Sequence, residues 1–155
     1  MKLAVFSDSH GSPEKMLEAI RVSNPELIIH LGDSQGDISE IKKQFPQIPL
    51  KAVRGNCDMS INLPKAEILT LCGFKLFLTH GHLHSVKSGL SLLYTEAKNL
   101  GVHAALYGHT HMADVRMEQG IYLINPGSCG YGAGPSYAEI YLDEKRGVIP
   151  RILSL

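Results

Sequence analysis

The sequence Leu106-Tyr107-Gly108-His109-Thr110-His111 places two histidines two residues apart, directly after a glycine that ends an apolar run. Imidazole is the commonest protein ligand for transition metals. A loop at the end of a strand holds such side chains close to one point in space. Alone, however, this pair is more typical of surface-loop histidines than of metal ligands, so its meaning depends on the rest of the chain.

Four further polar clusters end apolar runs in the same way: Asp8-Ser9-His10, Gly32-Asp33, Gly55-Asn56-Cys57-Asp58 and Thr79-His80-Gly81-His82. Ligands of open α/β sheets bind beyond the carboxyl ends of the strands, so we expect these clusters to converge. Carboxylate, amide and imidazole donors together suit Mn²⁺, Fe²⁺, Zn²⁺ or Ni²⁺ better than Mg²⁺ or Ca²⁺ alone. The sequence therefore predicts a hydrolytic site for two divalent transition-metal ions, with these candidate ligands: Asp8, His10, Asp33, Asn56, His80, His109 and His111.

The order of the predicted elements indicates an α/β fold. Short apolar runs at 3–6, 27–31 and 50–53 are typical of buried parallel strands. Helices are predicted between them, the first with Ser12 as N-cap and Pro13 as its first residue, the second opening on a capping box at 37–40 and ending at 45. A hairpin at 67–71 and 75–78 and a long helix at 85–100 follow, and the remaining strands are predicted at 103–106, 114–118, 121–124, 138–142 and 148–153. We expect one domain over 1–155, a layered α/β/β/α sandwich of two mixed sheets packed face to face between helices.

Composition excludes several classes of protein. The 155 residues include fifteen basic and fifteen acidic ones, so no electrostatic footprint for nucleic acid or for a membrane surface is visible. Three separated cysteines without CxxC spacing are most simply reduced thiols of a cytosolic protein. The apolar run at 3–6 is too short for a signal peptide, and no run approaches a membrane span. We expect a soluble cytoplasmic protein.

The five clusters, in this order, resemble those of the calcineurin-like metallophosphoesterases. The short chain and its Gly-Asn-Cys-Asp block at 55–58 are similar to the small bacterial and archaeal phosphodiesterases of the YfcE type. The resemblance implies a first metal on Asp8, His10 and His111, a second on Asn56, His80 and His109, and Asp33 as the bridge. It also implies attack on phosphorus by a hydroxide held between the two metals, with the Asn56 amide offered to a phosphoryl oxygen.

One position departs from the family pattern. Many members have histidine where this chain has Cys57, and that histidine is thought to protonate the leaving group. A thiol is a poor substitute, so His82 becomes the candidate for a phosphate contact or proton donor. The cysteine favours a phosphodiesterase of the small subgroup over a vigorous monoesterase.

Three functions are weighed. The first is a phosphodiesterase acting on a small phosphoester. The second is a non-catalytic scaffold, because a retromer subunit uses the same small fold but has lost histidine ligands; here all seven ligand positions are filled, which favours catalysis. The third is a phosphomonoesterase of a small metabolite. A nuclease is disfavoured by the absence of a basic stripe, and a homo-oligomer is left open.

Three features near the clusters are expected to support the site or the core. We expect Asp58 to hold the Asn56 loop through backbone hydrogen bonds. The segment Asn125-Pro126-Gly127-Ser128 resembles a loop of the small subgroup and is expected to border the site. His30 is expected to be a hydrogen-bonded core residue, with the alternative that it orients Asp33.

Overall fold

The computed structural model describes residues 1–59, 62–130, 132 and 134–155. Within these residues the first part of the chain forms β1 (Lys2–Phe6), α1 (Glu14–Ser23), β2 (Leu27–His30), α2 (Asp37–Gln44) and β3 (Leu50–Ala52). The rest forms β4 (Ala66–Leu71), β5 (Phe74–Thr79), α3 (Ser91–Leu100), β6 (Ala104–Leu106), β7 (Asp114–Glu118), β8 (Ile121–Asn125), β9 (Ser136–Asp143) and β10 (Gly147–Ser154). None of the helices in the described part is long and apolar enough to cross a membrane.

The strands form two mixed sheets, ordered β10-β9-β1-β2-β3 and β4-β5-β6-β8-β7. Strands β1, β2 and β3 of the first sheet are parallel, as are β5, β6 and β8 of the second, and the remaining strands pair antiparallel. Three parallel strands of each sheet therefore end at one edge. The polar clusters that follow these strands therefore lie at the same edge of their sheet, as the sequence predicts.

Alternation along the strands divides the core into three layers. In β1, Leu3 and Val5 face the second sheet, while Ala4 and Phe6 face α1 and α2. Helix α3 covers the outer face of the second sheet, where Leu93 packs with Phe77, Ala97, Ala105 and Leu123. The predicted α/β/β/α sandwich is confirmed.

The predicted start of the third helix is wrong. Residue 85 does not begin it; the helix starts at Ser91, after a 3-10 turn at His82–His84 and further turns. Ser85 and Gly89 have φ angles of 50° and 144°, which no α-helix accommodates. Val86 and Leu90 pack against the outer core at near-helical spacing, so their apolar pattern imitates a helix.

The predicted helix caps are also wrong. Pro13, not Ser12, is the N-cap of α1, and no side chain caps it. Gly36 is the N-cap of α2, again without a side-chain hydrogen bond. Asp37 is the first residue of the helix rather than its N-cap, and its Oδ2 accepts the backbone N–H of Gly11, 3.0 Å away on the loop after β1.

Candidate metal centre

The structure brings all seven predicted ligands together where the two sheets meet. Loops after β1, β2 and β3 carry Asp8, His10, Asp33 and Asn56, and loops after β5 and β6 carry His80, His109 and His111. The donor atoms of Asp8, His10 and His111 all lie within 4.8 Å of one another, as do those of Asp33, His80 and His109. These two clusters match the two ligand sets that the sequence predicts, apart from the amide.

The first cluster gathers around Asp8. His111 Nε2 lies 3.2 Å from Asp8 Oδ1 and 3.3 Å from His10 Nε2. His10 Nε2 lies 3.9 Å from the same Asp8 oxygen. One carboxylate oxygen thus faces two imidazole nitrogens of this cluster, and His80 Nε2 of the second cluster lies 3.9 Å from it as well.

The second cluster gathers around His80, which is fully buried. Its Nδ1–H donates to the Leu31 carbonyl oxygen at 2.8 Å, so Nε2 is the nitrogen that faces the site. That atom lies 3.3 Å from Asp33 Oδ2 and 3.1 Å from Asn56 Oδ1. A backbone carbonyl that fixes the ring of a histidine ligand is the usual support of a metal site, and the amide oxygen completes the predicted second set.

Asp33 connects the two clusters. Its Oδ2 is 4.0 Å from His10 Nε2 and 3.3 Å from His80 Nε2. Its Oδ1 instead accepts the Cys57 N–H at 2.8 Å. One oxygen is held by the backbone and the other faces both clusters, which is the arrangement a bridging ligand needs.

The donor chemistry fits divalent cations. Asp8 Oδ1 is buried and has no hydrogen-bond partner among the described residues, although Oδ2 accepts from Ser7 Oγ and from the His109 N–H. A buried carboxylate oxygen without a donor is costly unless a cation lies beside it. Three oxygen atoms that can act as metal ligands face imidazole nitrogens that can do the same: Asp8 Oδ1, Asp33 Oδ2 and Asn56 Oδ1.

The close packing of carboxylates and imidazoles shifts the pKa values of several candidate ligands. Burial tends to raise the pKa of Asp33, but the His80 side chain and the Cys57 N–H outweigh it and hold that pKa well below its usual range. Burial tends to lower the pKa of His80, yet Asp33 and Asp8 raise it. Burial and the neighbouring His80 lower the pKa of His109 to about 4, so its ring is in the neutral form that binds metals.

The backbone of the candidate ligands is unusual. Five of them lie in the left-handed region, with φ of 56° at Asp8, 49° at His10, 55° at Asp33, 68° at His109 and 59° at His111. Residues other than glycine seldom adopt this region, and such strain persists only where the surroundings enforce it.

Asp58 holds one of these strained backbones, that of Asp33. Its Oδ2 accepts the N–H groups of Asp33 and Gly55 at 2.7 and 2.9 Å, and its Oδ1 those of Ser34 and Gln35 at 2.8 and 3.0 Å. These bonds lower the pKa of Asp58 against the effect of burial. The expectation that Asp58 holds the Asn56 loop is confirmed and extends to the loop after β2.

Asn125 supports the loop that carries His109 and His111. Its Nδ2 donates to the Gly108 carbonyl oxygen and to Thr110 Oγ1, each at 3.0 Å, and its Oδ1 accepts the Gly127 N–H at 2.9 Å. The segment at 125–128 borders the site as expected, since Ser128 Oγ also donates to the Asp8 carbonyl oxygen at 2.7 Å.

Gly108 is required by close packing. A Cβ built there would overlap Ser7 Oγ and lie 2.7 Å from Asp8 Oδ2. The glycine that ends the β6 run therefore lets the histidine loop approach the Asp8 carboxylate.

Sequence reasoning missed two supporting side chains. Ser7, buried beside Asp8, donates to its Oδ2 at 2.6 Å; its position directly before the aspartate was the available signal. Gln35 Nε2 lies 3.4 Å from His10 Nδ1, and no local pattern marks it. His30 is the buried core residue that was predicted, with Nε2 3.1 Å from Ser9 Oγ and Nδ1 accepting the Gly32 N–H.

His82 and Cys57 flank the ligands. The His82 ring centroid lies 5.4 Å from that of His80 and 6.1 Å from that of His109. Burial and His80 lower the pKa of His82. The Cys57 sulfur groups with donor atoms of His10 and Asp33 within 4.8 Å, while burial and Asp33 raise the pKa of its thiol. The cysteine therefore faces the centre as a neutral thiol.

Two facing mixed sheets with two adjoining Asp/His clusters at one end are the arrangement expected of a metal-dependent phosphoesterase. The chain belongs to the calcineurin-like phosphoesterase superfamily, whose domain profile matches residues 1–145. The family resemblance drawn from the sequence is confirmed, and with it the assignment to phosphoric ester hydrolases that use divalent metal ions.

Two relatives with similar sequences are named as phosphoesterases. It is 36% identical over 131 residues to "Probable metallophosphoesterase YsnB" of Bacillus subtilis, covering 83% of this chain and 75% of that protein. It is 30% identical over 159 residues to "Phosphodiesterase YfcE" of Escherichia coli, covering 86% and 82% respectively.

Solved structures share the fold over its whole length. A novel archaeal phosphodiesterase superposes with a TM-score of 0.80 at 25% identity, with 100% of both chains covered. Vps29 of Entamoeba histolytica, in complex with Zn²⁺, gives a TM-score of 0.81 at 20% identity, covering 99% of each chain. The latter shows likeness of fold alone.

Proposed function

We propose that this chain is a metal-dependent phosphodiesterase with a dinuclear centre. Asp8, His10 and His111 hold one divalent transition-metal ion, Asn56, His80 and His109 hold the other, and Asp33 bridges them. The observation that carries this proposal is that Asp33 Oδ2 faces histidines of both clusters at 4.0 and 3.3 Å. Asp8 Oδ1 also lies 3.9 Å from His80 Nε2, but it is nearest to His111 Nε2 at 3.2 Å, so we assign it to the first ion. We favour Mn²⁺, with Fe, Zn or Ni as alternatives; the Zn²⁺ complex of Vps29 shows that one protein of this fold binds zinc.

Two such cations supply Lewis acidity and lower the pKa of bound water. The chain's own residues hold and orient the substrate. The Asn56 amide oxygen lies 3.1 Å from His80 Nε2, and its Nδ2 lies 3.2 Å from Cys57 Sγ, so the NH₂ group is directed away from His80 and is assigned to donate to a phosphoryl oxygen. His82, neutral near pH 7 because its pKa is lowered, donates an N–H rather than a full proton.

Two lines favour a diester over a monoester. Cys57 stands where many family members have histidine, and by the family resemblance the Gly-Asn-Cys-Asp block at 55–58 favours the small phosphodiesterase subgroup. Its raised pKa also makes the thiol a weak acid for protonating a leaving group. Proteins named as phosphodiesterases also occur among both the relatives and the structural neighbours.

The test compares bis(4-nitrophenyl) phosphate with 4-nitrophenyl phosphate on protein loaded with Mn²⁺ without oxygen. We expect metal-dependent turnover that is faster on the diester, is abolished in His80→Ala, and persists in His103→Ala, which removes a histidine from the opposite end of β6. Absence of turnover on both substrates would reject catalysis in favour of the scaffold. Faster turnover of the monoester would establish the phosphomonoesterase instead.

Cys57→His tests the leaving-group argument separately. Restoring an imidazole should increase turnover of alkyl esters, whose leaving groups need a proton, more than that of aryl esters. An equal change for both kinds of ester would show that position 57 does not act on the leaving group.

A further inference from the structure

A cleft of about 730 Å³ opens beside the metal centre, on the side of Gln35 and Cys57. Gln35 Nε2 lies 3.4 Å from His10 Nδ1, and the Cys57 sulfur groups with donor atoms of His10 and Asp33 within 4.8 Å. No candidate metal ligand is among the described lining residues, so the cleft adjoins the candidate metal centre through Gln35 and Cys57. Its volume is in the range of sites for small molecules.

The walls of the cleft are partly apolar. Ile38 and Lys42 stand four residues apart on α2 and so share one face of the helix. Met59 and Leu63 line the cleft from the segment after β3, and Met59 is 96% exposed. An exposed methionine and two further aliphatic side chains offer a surface for a ring-sized apolar group.

Two charged side chains among the described lining residues differ in how they are bonded. Asp58 also lines it, but its carboxylate accepts the backbone N–H groups of both neighbouring loops. Lys42 is exposed, is the one cation among the described lining residues, and forms no ion pair with any residue in the described ranges. Its neighbour Lys43, by contrast, lies outside the cleft with its Nζ 4.0 Å from Glu40.

We propose that this cleft binds one ester arm of the substrate, a ring-sized apolar group carrying an anionic substituent that pairs with Lys42. The inference rests on the proposed phosphodiesterase function. Because basic and acidic residues balance over the chain, a local cation is the available means of selecting an additional negative charge. Carboxylate and phosphate substituents share this chemistry.

Two diesters with one leaving group test the proposal. 4-Nitrophenyl phenyl phosphate and 4-nitrophenyl 4-carboxyphenyl phosphate both release 4-nitrophenolate, so they differ in the retained arm. We expect wild-type kcat/KM to favour the carboxylated arm about threefold to fivefold, the range of a partly exposed ion pair. Lys42→Gln should abolish this preference, chiefly through KM, and Lys42→Arg should keep it.

Lys43→Gln is the matched control and should keep the wild-type preference. The 4-phosphonooxyphenyl arm distinguishes the two anions: if only one of them gains from Lys42, that one is the substituent. An unchanged preference in Lys42→Gln would overturn the proposal. So would loss of the preference in Lys87→Gln instead, since Lys87 lines a separate cleft with Val86 and Arg116.

A binding measurement separates this inference from catalysis. In (4-carboxybenzyl)benzylphosphinate, P–C bonds replace both ester bonds, so calorimetry on metal-loaded protein reports affinity without turnover. We expect the Kd of this ligand to be about threefold to fivefold larger in Lys42→Gln than in Lys43→Gln. For dibenzylphosphinate the two variants should have the same Kd. Lys42-dependent binding without turnover of any ester would reject only the phosphodiesterase, whereas turnover with equal Kd values in both variants would reject only the anionic subsite.

Discussion

Replacing Asp58 by asparagine should loosen the metal centre without touching a ligand. In the wild type each carboxylate oxygen accepts two backbone N–H groups, those of Asp33 and Gly55 on one side and of Ser34 and Gln35 on the other. The asparagine amide has one oxygen and one NH₂ group. In either orientation of the asparagine amide, its NH₂ group replaces one carboxylate oxygen, so two backbone N–H groups lose their acceptor.

The size of the effect follows from those two amides. A buried donor without a partner destabilises a protein by about 1–3 kcal/mol, and because Asp58 is only half-buried we take the lower end for each. We therefore expect a loss of about 2 kcal/mol in the free energy of unfolding. Since the loops carrying Asp33 and Asn56 lose their common anchor, the affinity for Mn²⁺ should fall about tenfold or more.

Urea unfolding of the metal-free protein and calorimetric titration with Mn²⁺ measure the two effects. Asp143→Asn is the matched control: its Oδ1 also accepts two backbone N–H groups, those of Lys145 and Arg146, but in an exposed turn remote from the site. That variant should bind Mn²⁺ like the wild type. An Asp58→Asn protein with wild-type unfolding midpoint and wild-type Kd would refute the role assigned to this carboxylate.

Further predictions concern packing and pH. Gly108→Ala should abolish most Mn²⁺ binding, because the added Cβ meets the Asp8 carboxylate. Gly134→Ala should bind normally in the same titration, because its Cβ would meet no atom of the described residues within 4 Å apart from its chain neighbours. Asn125→Ala should weaken Mn²⁺ binding about tenfold by releasing the histidine loop; unchanged affinity would contradict that support. Burial lowers the pKa of His30 from 6.5 to about 4, so the unfolded chain takes up a proton first as the pH falls. Stability should therefore decrease between pH 6.5 and about 4, by at most about 3 kcal/mol from this group. Urea midpoints at about pH 7 and about pH 4.5 should differ less in His30→Gln than in the wild type, and an equal difference would exclude His30 as the source.

The strands and the candidate ligands were predictable because local signals mark them. Apolar runs ending in Gly32, Gly55 or Gly108 show where a parallel strand stops, and parallel strands bring those ends together. The strand at 114–118 and the hairpin through Cys72 and Gly73 were also predicted, and both are confirmed.

The supporting contacts were less predictable because they join distant parts of the chain. Asp37 looks like a helix-capping residue, yet its carboxylate is taken by Gly11, twenty-six residues earlier. Asp58 reaches back to the loop at 33–35. The false start of α3 has a similar cause, since Val86 packs into the outer core from a turn. A single domain over 1–155, a cytoplasmic location and a homo-oligomer stay predictions.

The order of the donors along the chain has a consequence for biosynthesis. Both carboxylates and the amide lie within the first 56 residues, whereas three of the four histidine ligands lie from His80 onward, on the other sheet. During translation, the emerging amino-terminal half offers mainly oxygen donors, a set that suits hard cations such as Mg²⁺. The proposed transition-metal site is complete only when the second sheet docks on the first. On the proposed ligand assignment, metal selection is coupled to completion of the fold, and a bound ion would cross-link the two sheets.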